Sequence, residues 1–311
     1  MEASRVSRQH ALPRADPRHR LRLALAGARQ VVADYVELTK PRVQSLLLLT
    51  TITTMYVAGD PSLGLVALTC LGGSLSAGGA GAVNHYYDRD IDAQMARTAN
   101  RPVPAGRVAP NAALGFGIAL AALSFLLLSL TVNVLSASLA LAGFLGYVFV
   151  YTIWLKRSTP QNIVIGGAAG AVPPLVGWAA VTGSLDPTSL YLFAIVFYWT
   201  PPHFWALSLL MKDEYARVGV PMMPVVHGEQ ETRRQIVLYT CLLVVLTLLP
   251  VVFGFFGALY AAVALALGAA FLVHAVRLQR SADRRAALRT YLFSLLYLAL
   301  LFCAMVADTR L

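Results

Sequence analysis

Residues 63–108 read LGLVALTCLGGSLSAGGAGAVNHYYDRDIDAQMARTANRPVPAGRV, and this stretch decides how the rest of the chain is folded. Its first part, 63–83, carries no charge and has about the length that crosses a bilayer as a helix. From Asn84 onward it turns polar, with aspartates and arginines crowded into the interval before Val108. An apolar helix that ends in a charged loop at one membrane face satisfies both parts.

Outward from there the same alternation recurs. Apolar segments lie at 43–59, 63–83, 112–131, 134–155, 162–182, 188–210, 236–253, 257–275 and 288–307, each close to the roughly 20 residues of a spanning helix. The chain is 58% hydrophobic and 13% charged, with a mean hydropathy of +0.65. That composition predicts an all-α polytopic membrane protein with nine transmembrane helices. Connections such as Gly59-Asp60-Pro61 and Gly183-Ser184-Leu185-Asp186-Pro187 are free of Lys and Arg. All but one of the 25 Lys and Arg fall in 1–42, 84–111, 156–161, 211–235 and 276–289, the exception being Arg310. The positive-inside rule then places the N-terminus and the basic loops in the cytoplasm and the C-terminus outside. The net charge of +10 is thereby spent on topology and a site rather than on nucleic acid.

Residues 1–30 are Arg-rich without the apolar core of a signal peptide, and read as a flexible cytoplasmic tail that touches anionic lipid. Residues 31–311 read as one domain. It opens with an interfacial helix over 31–43 and Lys40-Pro41-Arg42, where Pro41 suits a first helical turn. The Arg-rich tail also has the composition of an organellar transit peptide, which makes a mitochondrial inner membrane the secondary reading to a bacterial plasma membrane. Cys70, Cys241 and Cys303 lie scattered in apolar runs and make neither a disulfide framework nor a metal motif. The glycine runs at 72–82 and 166–177 do not end in Gly-Lys-Ser/Thr, so they read as close helix contacts, Gly166 and Gly170 among them. Pro173-Pro174 predicts a kink that opens a cavity.

Asn84, Asp88 and Asp92 stand four apart. On a helix each such step turns about 40° and rises roughly 6 Å, so the three form one stripe of oxygen ligands, with Asp90 on another face. An amide and two carboxylates suit a hard cation such as Mg2+, which shares its shell with phosphate oxygens. Arg97, Arg101 and Arg107 follow, and guanidinium forks match phosphate geometry. Three further polar clusters share this membrane face: Tyr151 to Asn162 with Lys156 and Arg157; His203 to His227 with Lys212, Asp213, Glu214 and Tyr215; and the arginines of 277–289. Any single Lys or Arg here is explicable as a snorkelling anchor. Several of them meeting the stripe predict a pocket for a diphosphate with its metal, next to an apolar tunnel for a lipid tail. Asp92, Arg97, Pro102 and Pro104 are echoed by Asp213, Arg217, Pro221 and Pro224, which suggests an internal duplication with the site between the halves.

Asn84-x3-Asp88-x3-Asp92, Met95, Arg97-Thr98 and Arg101-Pro102 resemble the signature of the UbiA-type membrane prenyltransferases. Within that family LTKPR (38–42), YTIWLKRSTPQNIVIGGAAGAVPP (151–174) and PPHFWALSLLMKDEYARVGVPMMPV (201–225) look like the branch that farnesylates haem. The resemblance implies nine helices around a central cavity, with farnesyl diphosphate and haem B as substrates and Mg2+ as cofactor. It implies transfer of farnesyl to the 2-vinyl group of haem B with addition of water, giving haem O and diphosphate, and hand-over partners in haem A synthesis and oxidase assembly. Carried over, Asn84, Asp88 and Asp92 hold the metal, while Arg97, Arg101, Lys156, Arg157 and Lys212 bind phosphate oxygens. Tyr151 lies near the developing allylic cation, and His203, Asp213, Glu214 and Tyr215 form a second polar cluster. The family's usual second Asp-x3-Asp pair is replaced here by Lys212-Asp213-Glu214-Tyr215. Prenyl transfer to an aromatic quinone precursor is the neighbouring alternative. A transporter would place its charges at mid-membrane on broken helices, which this pattern does not.

Overall fold

In a computed structural model, residues 17–281 and 283–311 are described, with side chains from residue 26 onward. Every regular element among them is helical: α1 (Pro17–Leu38), α2 (Pro41–Ala58), α3 (Leu63–Tyr87), α4 (Arg89–Gln94), α5 (Pro110–Thr131), α6 (Val134–Leu145), α7 (Asn162–Gly170), α8 (Val172–Thr182), α9 (Pro187–Leu210), α10 (Lys212–Arg217), α11 (Met223–Val226), α12 (Gly228–Val252), α13 (Ala258–Ser281) and α14 (Arg284–Asp308). α6 runs on as a π-helix over Gly146–Trp154 and a 3-10 turn over Leu155–Arg157.

A helix lies at each of the nine apolar segments, and among the described residues seven are long and apolar enough to cross a membrane. The protein is an integral membrane protein. The two that fall outside that measure are α2, an 18-residue helix with Pro, Arg and Gln in its first turn, and α9, which carries Pro201-Pro202 and His203. Helix ends overrun the apolar segments. α12 starts at Gly228 rather than near 236, with Glu229 and Glu231 in its first turn facing the positive end of the helix dipole.

The interfacial helix expected over 31–43 is longer than that, since α1 already begins at Pro17. Residues 17–38 are mostly Leu, Ala, Arg and other strong helix formers, so the backbone stays helical through a stretch read as flexible tail. Residues 1–16 lie outside the described residues.

Neighbour follows neighbour around a ring: α2 packs on α3, α3 on α5, α5 on α6, α6 on α8, α8 on α9, α9 on α12, α12 on α13, α13 on α14, and α14 returns to α2. Glycines set the closest crossings. A Cβ on Gly79 would sit 2.6 Å from the carbonyl oxygen of Gly117, and one on Gly177 would sit 2.5 Å from that of Thr51. Ser76 donates to the carbonyl of Ala140 at 2.9 Å and Ser124 to that of Gly72 at 2.7 Å, hydrogen bonds that join helices where no water competes. At the end of the bundle away from the basic loops, Arg310 closes the ring. It donates to the carbonyls of Tyr56 and Gly59 and pairs with Asp60.

The interior is uneven. Leu192, Trp199, Tyr260, Phe271, Tyr297 and Phe302 fill the α8–α14 side with large, fully packed side chains. Between α2, α3, α6 and α7–α8 the lining is small, with Gly73, Ala77, Ala80, Gly143 and Gly170 beside Leu47, and a cavity of about 1000 Å3 remains there, its open side included. The expected break at Pro173-Pro174 falls just ahead of them, at Ala171 between α7 and α8. Gly166 makes the expected close helix contact, against the π-helical continuation of α6, and Gly170 does not. A Cβ on Gly166 would strike the Tyr151 ring at 2.5 Å, and one on Gly170 would meet only open space.

Candidate active site at the basic end of the bundle

The acidic stripe is not one helix. α3 ends at Tyr87, Asp88 has the bridge conformation φ −90°, ψ 3°, and α4 restarts at Arg89. The i to i−4 backbone bonds nevertheless cross the break, Asp88 to Asn84 at 2.9 Å and Asp92 to Asp88 at 2.7 Å. The fourfold spacing therefore survives, and Asn84, Asp88 and Asp92 are all buried, at 3%, 1% and 3% exposure.

Each member of the stripe meets a cation from another segment. Lys40 Nζ donates to Asn84 Oδ1 at 2.6 Å. Asn84 Nδ2 in turn donates to Asp88 Oδ2 at 2.7 Å and to Thr152 Oγ1 at 3.1 Å, which fixes the amide's orientation. Lys156 pairs with Asp88 Oδ2. Arg101 donates to Asp92 Oδ2 at 2.7 Å, and Thr98 Oγ1 holds the Asp92 carbonyl at 2.9 Å. Arg157 grips Asp90 with both prongs at 2.7 Å and the Tyr87 carbonyl at 2.8 Å, standing 3.7 Å from Asp88 Oδ1. That fork holds Asp90 down at about 2.

Two backbone irregularities carry cations to the stripe. Lys40 sits in the left-handed region, at φ 54° and ψ 54°, and is the one non-glycine with positive φ among the described residues. The conformation costs about 1–2 kcal/mol, and it turns the chain from α1 into Pro41 at the head of α2. Burial, with Arg101 and Lys156 nearby, lowers the Lys40 ammonium to about 7. The second irregularity is the π-helix, a form that tends to appear at functional sites. It brings Thr152 to Asn84 and Lys156 to Asp88, and sets the Tyr147 and Tyr151 rings 5.4 Å apart. Tyr147 and Lys40 both line the apolar cavity, so the cavity and the stripe share one rim.

The second cluster divides. Tyr215, 5% exposed, packs with Ile91, Met95, Ile163 and Met222 over the stripe, Tyr151 at the edge. Burial raises its hydroxyl against the pull of Arg97 and Lys156. Glu214 leaves one buried carboxylate oxygen, Oε2, without a partner, and Asp213 is exposed. Lys212 pairs with Glu229 of α12 at 3.2 Å and forms no ion pair or hydrogen bond with the stripe among the described residues. Arg97 is exposed and forms no ion pair among the described residues. His203 lies apart, in the α9–α14 seam, stacked between Trp199 at 4.2 Å and Tyr291 at 4.9 Å. Ser294 Oγ donates to the Tyr291 carbonyl at 2.6 Å, so it accepts from His203 Nδ1 at 2.7 Å and leaves Nε2 as the ring's acceptor.

Thr152 and Tyr147 are the members that sequence reading missed. Tyr147 and Tyr151, four apart, carried a readable signal. Thr152 carried none. Lys40 is one of the helix-end cations that the sequence sets against the stripe, and the structure puts it on Asn84.

The donor set fits a hard divalent ion. Asp88 Oδ1 is fully buried and takes no hydrogen bond, beside a second carboxylate and an amide oxygen. Among the described residues no three His, Cys, Asp or Glu side chains converge, so an ion held here needs further ligands from solvent or substrate, the usual state of Mg2+ beside phosphates.

The profile of the UbiA prenyltransferase family matches residues 47–301. This chain belongs to that family. Among curated UbiA relatives, a protoheme IX farnesyltransferase of Roseiflexus sp. (strain RS-1) is 57% identical over 91% of the chain and 54% of its own length. A protoheme IX farnesyltransferase of Symbiobacterium thermophilum is 56% identical over 90% of the chain and 95% of its length. The chain thus spans about half of the Roseiflexus relative and nearly all of the Symbiobacterium one. Two solved structures share the UbiA fold: a digeranylgeranylglyceryl phosphate synthase (TM-score 0.75, 19% identity, 90% of this chain and 99% of that one) and a UbiA homolog of Archaeoglobus fulgidus bound to DMAPP and Mg2+ (TM-score 0.67, 18% identity, 88% and 99%).

Proposed function

We propose that the chain transfers the farnesyl group of farnesyl diphosphate to the 2-vinyl carbon of haem B, with addition of water, giving haem O and diphosphate. The observation that carries this reading is the buried stripe of Asn84, Asp88 and Asp92, ringed by Lys40, Arg101, Lys156 and Arg157 at the rim of an apolar cavity. The identity to protoheme IX farnesyltransferases narrows the acceptor to haem.

Asn84, Asp88 and Asp92 would hold Mg2+, which when bound supplies positive charge against the departing diphosphate. The cations now resting on the stripe have a second partner in the diphosphate. Lys156 and Arg101 would turn part of their hydrogen bonding to its oxygens, Arg157 and Arg97 would follow from the exposed side, and Lys40 would hold the end nearest the cavity. Once turned to the diphosphate these donors are in place before the bond breaks, and they stabilise negative charge as it develops. The C1–O bond breaks with its electron pair leaving on diphosphate, and the vinyl π pair forms the new C–C bond. Water then adds to the cation left beside the porphyrin ring and loses a proton. Leu47, Phe144, Ala80 and Tyr147 would keep water from the allylic cation meanwhile, with Tyr151 at the polar edge.

The positive-inside pattern and the bacterial relatives support a site at the cytoplasmic face of a plasma membrane, with the C-terminus outside. Residues 31–311 serve as one prenyltransferase domain and the basic stretch before it as a lipid-touching tail.

The test is reconstitution with haem B, farnesyl diphosphate and Mg2+. The expected result is a more hydrophobic haem, its mass raised by a farnesyl and a hydroxyl group, formed one for one with diphosphate. Unchanged haem overturns the reading. Full turnover under exhaustive chelation overturns the metal alone.

A further inference from the structure

The α13–α14 hairpin holds five arginines between residues 277 and 289 and a single acid, Asp283. Nothing in the prenyl-transfer reading uses them. His274, Arg277 and Arg280 descend one face of α13, and Arg289 reaches from α14. With Ser281 and Asp283 they line a concave pocket of about 900 Å3, open side included. Around the acidic stripe the cations meet carboxylates, but here none of Arg277, Arg280 and Arg289 forms an ion pair among the described residues. Asp283 is already committed, its Oδ1 accepting from the Ala286 amide at 2.6 Å as the cap of α14. The pocket sets three guanidinium groups against the single carboxylate of Asp283, a net positive charge with no ion pair among the described residues.

Below it the surface turns apolar. Val273 lies one turn beneath Arg277 on α13, and Leu292 one turn beneath Arg289 on α14; both are exposed. His274 stacks on Phe293 at 4.7 Å. A column with guanidinium groups at the rim and bare aliphatic side chains deeper in the bilayer matches an amphiphile whose phosphate sits at the interface. Basic pockets between membrane helices take anionic headgroups for that reason.

We propose that this pocket seats the headgroup of an anionic phospholipid, its acyl chains lying along Val273 and Leu292. A free diphosphate offers the same anion chemistry but nothing to cover the apolar part. Arg284 of the same hairpin donates to the carbonyl of Leu210 at 3.1 Å, which links the lipid site to the end of α9, ahead of α10.

The experiment is titration of phosphatidylglycerol into the full chain in phosphatidylcholine nanodiscs, with bound lipid counted by native mass spectrometry. Replacing two pocket arginines, Arg277→Gln with Arg289→Gln, is expected to weaken retention about thirtyfold. The charge-matched pair Arg234→Gln with Arg285→Gln, at exposed positions outside the pocket, should lose about threefold or less. Arg277→Lys with Arg289→Lys should retain most of the binding, and it keeps the test alive if the glutamine pair fails to fold. Equal losses in the two glutamine pairs overturn the site in favour of diffuse charge. Inorganic diphosphate that displaces all retained lipid overturns the lipid assignment.

Discussion

Two loops at the basic end of the bundle follow one backbone plan and come out opposite in polarity. In each, a long membrane helix gives way to a six-residue helix and then to a proline-marked turn: α3, α4 and Pro102–Pro104 in one, α9, α10 and Pro221–Pro224 in the other. The first buries Asp88 and Asp92 and draws Lys156 and Arg101 onto them. The second turns Asp213 outward, sends Lys212 to Glu229 and puts Tyr215, Val220 and Met222 down on Ile91 and Met95. One loop is built to hold charge, the other to cover it. The shared plan agrees with an internal duplication, and the divergence shows why the second acidic run cannot be read as a copy of the first.

The sharpest break in that comparison is to neutralise one acid in each loop. Asp88→Asn keeps the shape but removes a buried charge opposite Lys156, and should lower kcat/KM by about 10³-fold with membrane insertion intact. Asp213→Asn, on the exposed face, should stay within about twofold. Comparable losses in both would mean that the second loop also holds charge. Tyr215→Ala, read by thermal unfolding in detergent, removes the cover instead and should cost about 3 kcal/mol of stability. Tyr215→Phe should recover nearly all of it. Lys156→Ala should raise the KM for farnesyl diphosphate about tenfold to a hundredfold, while Lys212→Ala leaves it unchanged. An unchanged KM in the first variant would remove Lys156 from the anion site.

The smallest effect belongs to Asp90. Arg157 holds its carboxyl at about 2, below its unfolded value, so the pair's contribution is present above about pH 4 and fades as pH falls through about 2. Because both partners are substantially exposed, the stabilisation lost in Asp90→Asn at neutral pH should stay below about 1 kcal/mol.

The ring was legible in the sequence because hydropathy alone marks where a helix must shed water, and the fourfold spacing from Asn84 to Asp92 carried straight into space. Helix ends were less so, since polar turns such as Gly228–Gln235 stay helical beyond the apolar run. What the sequence hid was pairing across distance. Nothing local says that Thr152 meets Asn84, that Lys212 prefers Glu229, or that Gly166 clears space for the Tyr151 ring in particular. The left-handed turn at Lys40 was equally hidden, because its cost is offset only by contacts made once α1, α2 and α3 have come together.

The wide winding over Gly146–Trp154 gives this part of the chain a fixed reading frame. Inserting one more residue there would exceed what the wide winding can absorb and swing everything downstream by about 100°. Lys156 and Arg157 would then face away from Asp88 and Asp90 while the span remained long enough for its membrane. A point insertion in an apolar segment, harmless by any hydropathy measure, should thus remove the proposed prenyl transfer as thoroughly as the loss of an aspartate.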